Sequence, residues 1–337
     1  MITLYRYTLP LVRPVATRHG PLAVRTGLLV RKGESWGEAA PWPGLSRESL
    51  AEAEAELQSW RAHPAGGRVY APQSSSVAFA LDSITDKVGT ARRAVRQIEE
   101  PHSTPPSTRN IPINALLSDE PLDAALDAVR NAGFRTLKLK VGRQSVRADA
   151  ERVLEVHRQL GPGIKLRLDA NRAWTLPDAL DFARRISAVP LEYIEEPLQN
   201  PDELPAFHER SGLPVALDEA LLEQPLDHFR DWRGVRAVVI KPTILGGLRA
   251  AERLAAVATE CGWWPVFSAV YESGVGIRAL AHLAARCGAP EVAMGFDTYR
   301  CLAADVLQPR LAIRNGALDL QAANRAEVCV EKLQELA

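Results

Sequence analysis

The chain has 337 residues, enough for one large barrel and a smaller companion domain. Apolar residues make up 46% and charged residues 24%, the balance of a folded globular protein rather than a disordered one. No run approaches the ~20 apolar residues of a membrane helix, and 41 basic side chains cancel 41 acidic ones, which leaves no electrostatic footprint for nucleic acid or a membrane surface.

Ile2–Tyr7 and Gly27–Arg31 read as short strands, with a Gly33-Glu34 turn leading into Ser35–Ala39. A helix is expected over Ser46–Ala62 with Ser46 as N-cap, and a second from Ser74 to about Asp86. Strands followed by segregated helices make residues 1–104 an α+β capping domain. Pro101–Arg109, rich in Pro and Ser, reads as a linker.

From there the rhythm changes. Short apolar runs recur at Ile113–Leu117, Thr136–Val141, Lys165–Ala170, Leu191–Glu195, Val215–Asp218, Ala237–Lys241, Pro265–Val270 and Glu291–Phe296, each followed by a helix-like segment. Such alternation calls for a parallel sheet covered by helices, and eight units make residues 105–304 a TIM-type β/α barrel. Residues 305–337 revert to strand-like pieces, such as Leu311-Ala312-Ile313, and a final helix, expected to return to the cap. Met1–Arg6 lack the build of a secretory signal, and Cys261, Cys287, Cys301 and Cys329 show no paired spacing. A cytoplasmic location and free thiols are therefore expected. No sequence pattern sets the oligomeric state.

Lysine occurs seven times against 34 arginines, and Lys138, Lys140 and Lys241 fall inside apolar strand-like runs. Side chains alternate along a strand, so Lys138 and Lys140 share the interior face while Leu137, Leu139 and Val141 face the helices. Arg167, Asp169 and Asn171 repeat the pattern on the third strand. Lys140, Asp169, Glu195, Asp218 and Lys241 follow at intervals of 29, 26, 23 and 23 residues, one strand–helix unit each. They converge on the C-terminal mouth of the barrel, where chemistry sits in this architecture.

Three carboxylates on adjacent strands repel one another unless a cation lies among them. Oxygen-only donors favour Mg²⁺, with Mn²⁺ as a substitute. Lys140 and Lys241 then flank a bound carboxylate substrate. A lysine beside a metal ion and a second ammonium group has its pKa pushed down from about 10.4 and can act as a base. Singly, each residue has a plainer reading: Asp169 or Asp218 as a helix N-cap, Lys138 and Lys140 as an ion network, Arg167 as a buried ion-pair partner. The set in register points to chemistry.

Lys138-Leu139-Lys140, Leu168-Asp169-Ala170-Asn171, Glu195-Glu196-Pro197, Leu217-Asp218-Glu219 and Ile240-Lys241-Pro242 together resemble the enolase superfamily, in its muconate lactonising enzyme subgroup. The resemblance covers nearly the whole chain. It implies Asp169, Glu195 and Asp218 as Mg²⁺ ligands, Lys140 and Lys241 as acid/base residues, and Lys138 as support for Lys140. The runs Arg167–Trp174, Val239–Thr243, Ser268 and Glu272–Gly276 are similar to a dehydratase branch of that subgroup, which acts on a succinyl-hydroxycyclohexadiene carboxylate in menaquinone synthesis. On that resemblance Lys140 takes the α-proton and returns it to the departing hydroxyl, with Lys241 a cation on the opposite face. Ser268, the Gly274–Gly276 amides and Gly295 would hold the succinyl carboxylate, and a capping loop including Thr17, Arg18, His19 and Gly20 would add contacts. Racemisation of N-acylamino acids uses the same two lysines. A dipeptide epimerase normally ends its eighth strand in Asp-x-Asp, where Gly295-Phe296-Asp297-Thr298-Tyr299 has one acid. A muconate-type cycloisomerase and a non-catalytic binding barrel are the remaining alternatives.

Overall fold

The computed structural model describes residues 1–63, 70–85, 110–117 and 121–337; the expected linker at 101–109, the 104/105 boundary and the end of the second helix at Asp86 lie outside these. At the N-terminus β1 (Ile2–Thr17), β2 (Gly20–Lys32) and β3 (Ser35–Ala39) form an antiparallel meander. Helix α1 (Leu50–Ala62) starts later than expected: Ser49, not Ser46, is the N-cap, paired with Glu52 in a capping box. Ser46 is used otherwise, its hydroxyl accepting the Trp42 amide at 2.8 Å. Helix α2 (Ser75–Thr85) packs on the sheet, and Leu4, Leu28, Val30, Leu57, Val77 and Ile84 form the cap's own core.

After the short strand β4 (Asn110–Pro112), the barrel strands are β5 (Ala115–Leu117), β6 (Thr136–Lys140), β7 (Lys165–Asp169), β8 (Leu191–Glu195), β9 (Val215–Leu217), β10 (Val235–Ile240) and β11 (Trp264–Phe267). They make one parallel sheet in sequence order. The helices between them are α3 (Leu122–Asn131), α4 (Val146–Leu160), α5 (Leu176–Arg185), α6 (Leu204–Ser211) and α7 (Gly247–Glu260), with α8 (Gly274–Cys287) after β11. Capping is local: Ser145 and Thr175 accept the Ala148 and Asp178 amides at the starts of α4 and α5.

The eight-unit expectation needs two corrections. Between β9 and β10 there is no α-helix but two 3₁₀ turns, Glu219–Leu222 and Leu226–Phe229, separated by Pro225, which stops a longer helix. The eighth strand contracts to single bridges: Gly295 N–H donates to the Phe267 carbonyl and Met294 N–H to that of Pro112, at 2.8 and 2.7 Å. Those bonds, one toward β11 and one toward β4, close the ring.

The tail comprises β12 (Leu307–Gln308), β13 (Ile313–Arg314), β14 (Ala317–Asp319), α9 (Leu320–Arg325), β15 (Glu327–Val328) and β16 (Gln334–Leu336). As expected it returns to the cap, with β16 pairing antiparallel with β1, Leu4 opposite Leu336. The chain ends in that strand, not in a helix; the helix, α9, comes earlier and is six residues long.

Leu137, Leu139, Leu166 and Leu168 face the surrounding helices, fully buried. Inside the barrel Tyr193, Ala216, Ala237, Val239, Val266 and Val292 fill the lower layer. The titratable residues lie above it. No described helix is long and apolar enough to cross a membrane, and no disulfide joins the four cysteines.

Candidate active site

Adjacent parallel strands set the site by register: Lys140 is opposite Asp169, and Asp169 opposite Glu195. Their side chains therefore emerge side by side at one level. Lys138 Nζ donates to both Glu195 oxygens at 2.8 and 2.7 Å and lies 2.8 Å from Asp169 Oδ2. Lys140 Nζ reaches Asp169 Oδ2 at 2.5 Å and Asn171 Oδ1 at 2.6 Å. Across the mouth Lys241 donates to Asp218. Lys140 follows from β6 and Lys241 from the end of β10, four strands along the sheet, so they stand on opposite walls.

The three acids are buried and the lysines partly so, and their charges act on one another. Burial raises the Glu195 pKa most, the Asp169 charge adds to it, and Lys138 opposes; the result is well above the usual carboxylate value. For Asp169 burial acts upward, but the Lys138 and Lys140 ammonium groups outweigh it and hold the carboxyl well below its usual value. Burial pulls Lys241 down while the Asp218, Glu219 and Glu195 carboxylates push it up, and the carboxylates prevail. That is opposite to the depression expected for a catalytic lysine, because the carboxylates beside Lys241 outweigh its burial.

The N-cap readings do not hold. Asp218 precedes a 3₁₀ turn but makes no side-chain cap bond, and Asp169 lies well ahead of α5, which is capped by Thr175. The donor set fits a hard divalent ion by chemistry: three all-oxygen acids on consecutive strand ends, two of them already converging on one cationic point, Lys138 Nζ. Buried Glu219 Oε2 beside them has no hydrogen-bond partner among the described residues. With the lysines holding their oxygens, no three acid, His or Cys groups among the described residues stand at metal-holding spacing.

Arg167 lies a layer below the mouth, wholly buried. It donates to Glu192 Oε2 (2.6 Å), to Asn114 Oδ1 (3.2 Å) and to the Ala293 carbonyl (2.7 Å), and its guanidinium sits 4.9 Å from the Tyr193 ring centroid. It supports the barrel interior and makes none of these bonds to the mouth residues. Asn171 bridges the site, its amide donating to Glu219 Oε1 at 2.8 Å while its carbonyl accepts from Lys140. Ser268 pairs with Gly295 across the barrel seam, and a Cβ on Gly295 would lie 2.8 Å from Ser268 Oγ. The expected role of the Gly274–Gly276 amides fails: Gly274 N–H donates to Asp305, Val275 N–H to Ser273 Oγ, and Gly276 N–H to Glu38. Thr17 to Gly20 form the tip of the β1–β2 hairpin.

Sequence reasoning missed Glu196. It takes a left-handed φ of 40°, and its carboxylate accepts the Asp218 and Ala220 amides at 2.9 and 2.8 Å and Arg172 Nε at 2.9 Å. Strand alternation sends Glu196 to the other face, so only the turn could have revealed it. Asn171, Arg172 and Tyr271 also have positive φ, at 44°, 60° and 58°, so backbone strain gathers at the ends of the barrel strands. Asp297 is fixed by the Leu116 amide at 2.7 Å and by Arg300, with both carboxylate oxygens engaged.

A two-part fold with buried acids and lysines at the barrel mouth defines a β/α-barrel enzyme. Residues 121–324 match the Enolase C-terminal domain-like family, and residues 1–87 match the MenC N-terminal domain. The chain belongs to the enolase superfamily. An o-succinylbenzoate synthase of Citrobacter koseri is 33% identical over 302 residues, 87% of this chain and 89% of that protein. Protein PHYLLO, chloroplastic, of Arabidopsis thaliana is 41% identical over 241 residues, which are 64% of this chain but only 14% of that much longer protein. A solved enolase superfamily member from Roseovarius nubinhibens, complexed with magnesium, shares the fold with a TM-score of 0.76 at 22% identity, over 100% of this chain and 97% of its own.

Proposed function

We propose that this enzyme dehydrates 2-succinyl-6-hydroxy-2,4-cyclohexadiene-1-carboxylate to o-succinylbenzoate, a step of menaquinone biosynthesis in the cytoplasm. The observation that carries the reading is that Lys140 and Lys241, four strands apart on the barrel sheet, stand at one mouth with Asp169, Glu195 and Asp218 between them. The similarity to o-succinylbenzoate synthases over most of the chain supports the substrate.

Asp169, Glu195 and Asp218 would hold Mg²⁺, which supplies positive charge to the substrate carboxylate as its α-carbon loses a proton. Lys140 takes that proton. The ring hydroxyl then departs with a proton returned by Lys140, so the elements of water leave and the ring becomes aromatic. Lys241 stays protonated on the far wall, where its charge stabilises the developing anion. Asn171 aligns Lys140, and Lys138 keeps Asp169 and Glu195 in place. Ser268 and Gly295 leave a small-residue wall for the succinyl arm.

Two lysines facing each other also suit racemisation of N-acylamino acids, the second reading. A dipeptide epimerase is disfavoured because Asp297 is engaged by Leu116 and Arg300 and does not offer a free carboxylate to an ammonium group. Purified enzyme with Mg²⁺ separates the two: loss of the cyclohexadiene absorbance is the expected result. An inert enzyme that exchanges the α-proton of N-acylamino acids in D₂O would replace dehydration with racemisation.

A further inference from the structure

Outside the barrel mouth the most densely bonded buried acid is Glu38, on β3 of the cap and wholly inaccessible. Its carboxylate reaches across to the barrel and accepts Ser273 N–H at 2.9 Å, Ser273 Oγ–H at 2.6 Å and Gly276 N–H at 2.8 Å, and also the Tyr7 hydroxyl. Two of these donors are first-turn or N-cap amides of α8, so the cap supplies an anion to the positive end of a barrel helix. Approach is possible because residue 276 is glycine: a Cβ there would fall 2.7 Å from Glu38 Oε2.

The neighbouring Glu272 continues the path. It accepts Thr243 Oγ1–H at 2.7 Å and the Val270 amide. Thr243 is fully buried two residues after Lys241, and the amides of Ile244 and Leu245 both donate to the Lys241 carbonyl at 2.9 Å. Cap and loop are joined a second time where Arg25 Nε donates to the Tyr271 carbonyl at 3.1 Å and Trp42 stacks on Tyr271 with centroids 4.4 Å apart.

We propose that Glu38 is a positioning residue for the active site: its carboxylate seats α8 and the 269–273 loop against the cap, and the Glu272–Thr243 bond carries that placement to the turn that holds Lys241. This rests on the reading of Lys241 as part of the catalytic centre. Four charge-assisted bonds at a buried acid make the link stiff, and a displacement of about 1 Å at a catalytic group costs on the order of a hundredfold in rate.

The test combines amide exchange with kinetics on Glu38→Gln and Thr243→Val. Glu38→Gln should speed exchange at least tenfold in peptides covering 241–245 and 269–276, leave α5 unchanged, and lower kcat about tenfold with KM within threefold. Thr243→Val should loosen 241–245 alone and reproduce the kcat loss. Ser273→Ala, which removes one donor to Glu38 together with the Val275 cap bond and buries no new polar group, serves if Glu38→Gln does not fold, with effects of the same pattern at 241–245. The exchange arm needs no turnover, so it reports on the clasp even if the substrate reading fails. Unchanged exchange at 241–245 in Glu38→Gln or Ser273→Ala, or loosening there with full kcat, overturns the proposal.

Discussion

Replacing Lys138 with methionine tests the electrostatic frame of the site without touching either proposed acid/base lysine. Lys138 is 13% exposed, while Asp169 and Glu195, which share its ammonium group, are 1% and 0% exposed. Methionine keeps most of the side-chain volume and removes the charge, so Glu195 loses its ion pair with Lys138. Breaking a buried pair from one side costs about 3–5 kcal/mol. The lower end applies here, because Lys140 still pairs with Asp169. In urea with EDTA, and with a slope near ~3 kcal/mol/M, the unfolding midpoint should fall by about 1 M. Saturating Mg²⁺ should recover more stability in the variant than in the wild type, because the ion would take over the role of the lost ammonium. A ligand at a hundredfold excess over its Kd adds about 2.7 kcal/mol. A midpoint in EDTA that shifts by less than ~1 kcal/mol in equivalent stability would refute the claim that these acids depend on Lys138.

Other consequences follow from the same geometry. Asp169 is held below its unfolded pKa, so its contribution to stability is complete above about pH 4 and drains away as the pH falls below that. In EDTA, Asp169→Asn should flatten the acid limb of the stability curve, read by urea unfolding between pH 2 and 5, and an unchanged limb would contradict the pairing. Gly295→Ala should cost about 1–3 kcal/mol by overpacking against Ser268; Ser268→Gly in the same chain should restore most of it, as thermal unfolding would show. Ser49→Ala removes the α1 capping box for about 1 kcal/mol and should leave kcat unchanged, since α1 lies in the cap.

The barrel mouth was legible because strand periodicity is strict. Once Lys138 and Lys140 are placed on one face, register alone brings Asp169 and Glu195 beside them. Asp218 and Lys241 follow from the same spacing of one strand–helix unit, and the structure pairs them with each other. What escaped the sequence depends on turns and on contacts far apart in the chain. Glu196 serves the site only through a left-handed residue. The engagement of the Gly274 and Gly276 amides is invisible in the sequence because their acceptors, Asp305 and Glu38, lie 31 and 238 residues away along the chain. The eighth strand kept its position but lost its ladder to single bridges. Ser46 and Ser49 are equally good caps by type, and only the Glu52 partner distinguishes them.

The most direct test of the central claim is turnover of the cyclohexadiene carboxylate by Lys140→Ala beside the wild type, each with Mg²⁺ and with EDTA. The wild type should turn over with Mg²⁺ and stop in EDTA, while Lys140→Ala, folded by circular dichroism, should lose on the order of 10²–10⁴ in kcat. A variant that keeps wild-type kcat would remove Lys140 as the base, and turnover that persists in EDTA would remove the metal from the mechanism.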